Sequence, residues 1–240
     1  MGIANHLFLL SSQNIMNMEK QTKDYLDNPK AIIDESFKII DNLVDLRNIP
    51  ETSRPIVRRV IHATGDIDYA DNLIIHPMAV ERGVNAIVTG KSIVSDVNMV
   101  RAGISEKGIN SFGGKIVCKI AEEDIADKAK ESNKTRAIKA IQGSIEEISG
   151  GIVVIGNAPT AVFTIIDLIR REEVVPALVI AVPVGFVKAA ESKEALQTYL
   201  DNKKGLQIPY IVNIGRKGGS AVAVAIVNAL LSIAKEAKAG

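Results

Sequence analysis

The 240-residue chain has a single cysteine, Cys118, no tryptophan, and only 4% aromatic residues. One cysteine excludes an intrachain disulfide framework and a zinc site built from several cysteines. The scarcity of aromatic rings removes the stacking platforms that bind single-stranded nucleic acid, and it requires a core built from aliphatic side chains. Because a free cysteine usually behaves as a small buried residue, we expect Cys118 to lie in a buried strand.

The chain also lacks an excess of charge of either sign, since 29 basic and 28 acidic residues leave a net charge of +1. A protein that binds DNA or RNA usually carries a basic face, so no nucleic-acid partner is expected. The apolar segment 3–10 is too short to span a membrane and lacks the basic start of a signal peptide. We therefore expect a cytoplasmic protein without a membrane partner, in which residues 1–18 form a loosely ordered leader before a domain at 19–240.

The pattern of apolar residues predicts an α/β fold. Residues 29–46 have the spacing of an amphipathic helix, and a second helix is expected from about Glu51 to His62. Beyond these helices, short apolar runs alternate with loops and helices, and the predicted strands are 73–76, 85–89, 115–120, 151–155, 177–182 and 210–214. Helices are expected at 94–102, from 122 onward, at 161–170, at 188–200 and after 220. Continuous apolar runs are typical of strands buried on both faces, so we expect one domain with a mostly parallel sheet and helices on both faces.

His62 is the first candidate for proton chemistry, because the chain has only three histidines and imidazole changes charge most easily near neutral pH. It follows the apolar pair Val60-Ile61 and precedes small residues and Asp66. A lone histidine after an apolar stretch is also typical of a structural, hydrogen-bonded residue. The local spacing alone leaves both interpretations open.

Further candidates lie in the loops that follow predicted strands, where ligands bind in parallel sheets. Asn157 and Thr160 stand at a helix start that favours anions, although helix capping uses the same residue types. Gly218, Gly219 and Ser220 allow close approach of the backbone to a ligand, but their order is not that of a phosphate loop.

Three more residues stand near predicted helix starts. Asp96 and Met99 lie at the start of the helix expected at 94–102, where Asp96 is also consistent with a simple favourable charge near the helix N-terminus. Arg136 opens another helix. It is either a solvated surface residue or, if the ligand carries carboxylates, a bidentate partner for one of them.

Several of these segments together resemble precorrin-8X methylmutases. The segments that carry the resemblance, in chain order, are 59–66 (RVIHATGD), 156–161 (GNAPTA), 183–187 (PVGFV), 189–193 (AAESK) and 215–220 (GRKGGS). The resemblance extends from about residue 29 to the C-terminus. It implies a homodimeric α/β enzyme of cobalamin biosynthesis that moves a methyl group from C11 to C12 of precorrin-8X or cobalt-precorrin-8, without a cofactor or a bound metal.

The resemblance also implies roles for individual residues. His62 matches the catalytic histidine, which would protonate the macrocycle or donate a hydrogen bond to its ring C nitrogen. Arg136 matches an arginine that pairs with a peripheral carboxylate of the tetrapyrrole, and the other matching pocket positions are Asp96, Met99, Asn157, Thr160, Gly218, Gly219 and Ser220. A net charge near zero is compatible with a polycarboxylate substrate if four basic residues gather at one face: Arg136, Lys188, Arg216 and Lys217. Glu35 departs from the basic residue that many relatives have before the Ser-Phe pair.

Two other kinds of function are consistent with the fold class. A nucleotide-dependent oxidoreductase or methyltransferase would use a similar sheet, but no strand is followed by the three-glycine fingerprint of dinucleotide binding. A non-catalytic tetrapyrrole carrier would share the binding residues and differ only in lacking turnover.

Overall fold

A computed structural model of the chain describes residues 28–203, 205 and 207–239. The predicted leader at 1–18 lies outside these residues. In chain order the elements are α1 (Pro29–Leu43), α2 (Arg54–Thr64), α3 (Tyr69–Asn72), β1 (Leu73–Ile75), α4 (Ala79–Val88), β2 (Ile93–Ser95), α5 (Asn98–Gly103), α6 (Glu106–Asn110), β3 (Ile116–Val117), α7 (Glu123–Glu131), α8 (Arg136–Gln142), α9 (Ile145–Ile148), β4 (Ile152–Ile155), α10 (Pro159–Arg170), β5 (Leu178–Ala181), α11 (Ala189–Asn202), β6 (Tyr210–Asn213) and α12 (Ser220–Ala239).

The contacts within the chain separate into two units, divided between Val44 and Asp45. In the first unit, α1 begins as predicted: Pro29 occupies its first turn, and Asn28 Oδ1 accepts a hydrogen bond from the Ala31 N–H at 3.1 Å. Proline is favoured there because the N–H groups of the first turn have no hydrogen-bond partner within the helix, so the N–H that proline lacks is not missed. Glu35 lies on this helix and forms an ion pair of 3.5 Å with Lys38.

The second unit holds one sheet, which in the described residues has six strands in the order β1-β6-β5-β4-β2-β3. The pairs β6–β5, β5–β4, β4–β2 and β2–β3 are parallel, and β1 joins the edge antiparallel to β6. The predicted α/β fold with a mostly parallel sheet is therefore confirmed, and all its strands share one domain. The start of that domain at residue 19 stays a prediction.

Helices cover both faces of the sheet, as predicted. On one face, Val153, Val179 and Val212 share a buried aliphatic cluster with residues of α8, α10 and α11. On the other face α12 packs against α2, α4 and α5. Gly83 of α4 lies so close to Leu178 and Leu230 that a side chain there would contact both, which joins helix, strand and terminal helix into one aliphatic core.

Helix α12 is long and apolar enough to cross a membrane by length and composition alone, but half of its apolar stretch is buried within the domain. Val222, Ile226, Val227 and Leu230 are all buried. These four residues therefore belong to the core, where α12 packs against its neighbouring helices.

Three local predictions are wrong. Residues 85–88 belong to α4, in which Val80, Gly83, Ala86 and Ile87 are buried at helical spacing, and Thr89 caps the helix. The strand follows as β2, which overlaps the start of the segment predicted to be helical. Short apolar runs suit a strand and a buried helix equally well. Cys118 lies just beyond the two-residue strand β3 and is half-buried rather than buried in a strand.

Candidate functional site

His62 is exposed in the last turn of α2. The helix stops there because Gly65 adopts a left-handed conformation, with φ of 66°, and its N–H caps the Ile61 carbonyl at 2.8 Å. Glycine takes this conformation without steric cost, so it commonly follows a helix. The stop leaves the imidazole at the helix end and turns the following residues, Asp66 to Asp68, away from the helix axis.

The imidazole of His62 lines a cavity of about 440 Å³, within the range of about 300–1,000 Å³ that is typical of small-molecule sites. The cavity lies between α2 and α12 and includes Arg59, Ser105 and Lys235. Of the predicted site residues, all of which are described, His62 is the one that lines this cavity. The wall of the cavity also includes Ala221, the residue that follows Ser220.

Asp96 follows β2 and is fully buried, so its predicted place as a charge on a helix start is wrong. Its carboxylate accepts three backbone N–H groups: Gly156 at 3.0 Å, Asn157 at 2.9 Å and Ala158 at 2.7 Å. Burial raises the pKa of the Asp96 carboxyl above its usual range, and these three donors oppose that increase. Asp96 thus shapes the loop that carries Asn157.

The loop held by Asp96 meets the start of α12. A side chain at Gly156 would come within 3.0 Å of the Ser220 Cα, so Gly156 must be small for the two segments to pack. Asn157 is exposed at this junction, beside the Gly219-Ser220 start of α12. The structure therefore brings together two of the predicted loops that are 60 residues apart in the chain, because β4 and β6 end at the same edge of the sheet.

Thr160 and Arg136 are brought together at the starts of two other helices. The Thr160 hydroxyl lies 3.1 Å from the hydroxyl of Thr135, which caps α8 by accepting the Ile138 N–H. Arg136 is the first residue of α8 and is exposed. Thr160 lines a smaller cavity of about 190 Å³ between α8 and α10, separate from the one at His62.

Gly218 and Gly219 form a strained turn against the end of β5. Both have positive φ, 141° and 118°, and the Gly219 N–H donates to the Val182 carbonyl at 2.7 Å. A Cβ at Gly218 would overlap that same carbonyl. Only glycine satisfies both the dihedral angle and the close approach, so the turn requires glycine for packing within the protein.

Two of the basic residues expected to bind substrate carboxylates already form ion pairs within the protein. Lys217 Nζ lies 2.7 Å from Asp66 Oδ2 and 2.6 Å from Asp68 Oδ2, and these carboxylates raise the pKa of Lys217 while Lys217 lowers the pKa of Asp66. Lys188 pairs with Glu191 at 3.6 Å. Both lysines lie in loops that follow β5 and β6, and each already faces a carboxylate of the protein.

Apolar side chains are exposed at the same edge. Met99 on α5 is 72% exposed, and Phe186 and Val187 in the loop after β5 are 86% and 81% exposed. The Arg216 guanidinium stacks 5.6 Å from the centre of the Phe186 ring, which is a cation–π distance. Large exposed apolar groups that are clustered mark sites of binding, and Phe186 was not among the predicted residues.

Lys193 was also missed. It stands in the AAESK segment, on the face of α11 that carries Ala189, Leu196 and Leu200, and it is only 1% exposed. Its position on this apolar stripe was the available signal, because a lysine is almost never fully buried without a partner. Among the described residues, no three His, Cys, Asp or Glu side chains converge on a possible metal site.

Comparison with known proteins places these features in a family. The family model described as CbiC, precorrin-8X methylmutase, matches residues 31–233. The cobalt-precorrin-8 methylmutase of Leptospira interrogans is 44% identical over 209 residues, which are 86% of this chain and 94% of that protein. The precorrin-8X methylmutase of Pseudomonas aeruginosa is 38% identical over 207 residues, 86% of this chain and 97% of that protein.

A solved structure agrees with the sequence comparisons. The precorrin-8X methylmutase of Thermus thermophilus is 36% identical, with a TM-score of 0.78 over 87% of this chain and 97% of that one. The chain belongs to the precorrin-8X methylmutase family and is an isomerase of cobalamin biosynthesis that moves a methyl group within its substrate.

Proposed function

We propose that this enzyme moves the methyl group from C11 to C12 of precorrin-8 or cobalt-precorrin-8, with His62 as the acid. The observation that carries the proposal is the place of His62, exposed at the end of α2 and lining a cavity of about 440 Å³. The reaction is an isomerisation in which the C11–methyl bond breaks and the C12–methyl bond forms. Protonation of the macrocycle, or a hydrogen bond to its ring C nitrogen, draws electron density towards that ring and eases the shift.

The protein's remaining contribution is positioning. Holding a substrate in a reactive geometry lowers the barrier without any chemical group taking part. Arg136 would pair with a peripheral carboxylate of the tetrapyrrole, since its guanidinium suits bidentate pairing. Met99, Asn157, Thr160 and Ser220 remain proposed pocket residues, whereas Asp96, Gly218 and Gly219 would act by shaping the loops that carry them.

The same proposal includes a cytoplasmic homodimer with a tetrapyrrole polycarboxylate as its small-molecule partner and no nucleic-acid or membrane partner. The balanced charge argues against a nucleic-acid partner, and the packing of α12 inside the domain argues against a membrane partner. The exposed apolar groups at Met99, Phe186 and Val187 are consistent with a surface covered by substrate or by a second subunit.

Multiple-turnover conversion of precorrin-8 and of cobalt-precorrin-8, followed by absorbance, tests the function. We expect turnover by the wild type and a loss in kcat of about a hundredfold or more for His62→Ala, the scale of general acid–base catalysis. The matched control is His76→Asn. His76 Nδ1 accepts the Met78 N–H at 3.1 Å beside Tyr210, at the amino end of β6, and asparagine keeps an acceptor there.

Each outcome has a definite meaning. Tight binding of either substrate without more than one turnover indicates a carrier and contradicts the proposal. Full activity in His62→Ala removes the histidine from the mechanism while leaving the family's reaction in place. The substrate with the higher kcat/KM identifies whether cobalt is already present at this step.

A further inference from the structure

Lys193 is a buried cation whose position the proposed reaction does not explain. Its ammonium group donates to the backbone carbonyl of Lys217 at 2.8 Å and to Asn213 Oδ1 at 3.2 Å. In the described part of the chain it forms no ion pair with a carboxylate. The nearby charge of Glu194 raises the pKa of Lys193, but this effect is smaller than the opposing effect of burial. Burial lowers the pKa of Lys193 to about 8.

Burying an ammonium group among neutral partners is unfavourable. An apolar side chain of similar length would fill the same space on α11 without that cost. The reason for the hydrogen bonds of Lys193 is therefore the segment that they hold in place, and not a gain in stability. They hold the end of β6, where Asn213 Nδ2 also donates to the Lys217 carbonyl at 2.7 Å.

Lys217 extends these contacts towards His62. Its carbonyl is held from the inside of the domain by Lys193 and Asn213, and its ammonium reaches outwards to Asp66 and Asp68. Asp66 immediately follows the Gly65 cap of α2, and its N–H donates to Thr64 Oγ1 at 3.2 Å. A continuous series of hydrogen bonds thus joins α11 to the end of the helix that carries His62.

We propose that Lys193 is a positioning residue for the His62 site. By fixing the backbone of Lys217, it aims the Lys217 ammonium at Asp66 and Asp68, and this ion-paired junction holds the C-terminal end of α2 against the glycine turn at 218–219. Lys193 itself does not contact the cavity at His62. The inference rests on the proposed role of His62 and adds the residues that hold it in place.

Kinetics of Lys193→Met, Lys217→Met and the double variant test this series. We expect kcat to fall about tenfold or more in each single variant, because small displacements of a reacting group are costly, with KM changed less than twofold. If Lys193 acts through Lys217, the double variant is no slower than Lys217→Met alone. Lys217→Arg, which keeps the charge facing Asp66 and Asp68, should recover most of the rate. The matched control is Lys130→Met, on the exposed face of α7.

The imidazole C–H resonances of His62 give a readout that does not depend on turnover. The chain has only three histidines, so His62→Ala assigns the signal. We expect the His62 resonance to shift in Lys193→Met and in Lys217→Met, while the His76 resonance and all resonances in Lys130→Met stay in place. Lys217 is partly exposed, so Lys217→Met tests the same series if Lys193→Met does not fold.

The inference is overturned by an unshifted His62 resonance with wild-type kcat in both single variants, or by additive losses in the double variant. If the wild type shows no turnover, the proposed function fails, but the resonance shifts still decide whether Lys193 positions His62. A shift without any loss of kcat in an active enzyme also contradicts a positioning role.

Discussion

At the scale of single residues, the site depends on charges that the protein itself satisfies. Lys217 faces two carboxylates, and Asp96 faces three backbone donors at 2.7–3.0 Å. Both were expected to meet substrate, which stays a prediction, and in this structure both hold loops. Of the basic residues expected at this face, Arg136 stands exposed at the start of α8, which makes it the better candidate for a substrate carboxylate.

Asp96→Asn tests the loop-holding role. An amide offers one acceptor oxygen where the carboxylate offers two, and its NH2 group would face backbone donors. We expect the free energy of unfolding to fall by about 1–3 kcal/mol, as for a buried hydrogen bond left unmade, measured by urea denaturation. Asp127→Asn, on the exposed part of α7, should leave stability within about 0.5 kcal/mol of the wild type. Equal stability of both variants would show that the three contacts contribute little.

Sequence reasoning reached His62 because its type and context are visible locally. Lys193 is not visible in the same way, because helical spacing predicts α11 but does not show which of its faces is buried. The AAESK segment belongs to the resemblance, yet only the fold shows that its lysine points inwards to the Lys217 carbonyl. A cation on an apolar stripe is the local sign that such a contact exists.

At the scale of elements, loops after parallel strands supply the site, and their backbone geometry is as specific as their side chains. The turn at 218–219 combines positive φ with contact against the Val182 carbonyl. Gly215, in the same loop, also has positive φ, 74°, but open space around it. Gly218 thus combines a φ of 141° with a close contact, whereas Gly215 has only the left-handed dihedral angle.

Gly218→Ala and Gly215→Ala therefore form a matched comparison. We expect Gly215→Ala to lower the free energy of unfolding by about 1 kcal/mol, the cost of a left-handed conformation for a residue with a Cβ. Gly218→Ala should cost about 3 kcal/mol or more, because a backbone carbonyl cannot move aside as a side chain can. Thermal or urea unfolding measures both. Equal losses would contradict the close approach at Val182.

Strands β4, β5 and β6 were predicted almost to the residue, since continuous apolar runs followed by glycine or proline leave few alternatives. The segment from Ala79 to Gly103 was predicted less well. There, two short apolar runs of similar composition became a helix and a strand, and the choice depends on which of them packs against Leu178 and Leu230. That information lies about 100 residues away in the chain.

At the scale of the whole molecule, a buried cation makes the stability of the domain depend on pH. The pKa of Lys193 is about 8 in the folded protein, against 10.5 for an ordinary lysine. Well below pH 8 the Lys193 amine is protonated in both the folded and the unfolded protein, so the full cost of burying its charge lowers the free energy of unfolding. Between pH 8 and 10.5 the unfolded chain binds more protons than the folded one, so this group makes the free energy of unfolding rise with pH.

Lys193→Met removes this dependence. We expect the stability of the wild type relative to the variant to increase as pH rises from 8 to 10.5, and to be constant below pH 7. Urea denaturation of both proteins across this range measures the difference, in which titration of other groups, such as Tyr210 with its pKa raised to about 12, cancels. Parallel stability curves would mean that Lys193 keeps an ordinary pKa.

The sequence by itself determined the α/β class, the strands at the centre of the sheet and the family, because each is written in local patterns or in motifs of fixed order, and it singled out His62 as the candidate acid. The tertiary structure alone decided which segments meet. The strand order β1-β6-β5-β4-β2-β3 places the loops after β2, β4, β5 and β6 at one edge, and from this follow the Asp96 contacts and the series from Lys193 to Asp66. Contacts of this kind join residues up to 151 positions apart. Local spacing does not encode such contacts, since they arise only when helices pack on both faces of the sheet.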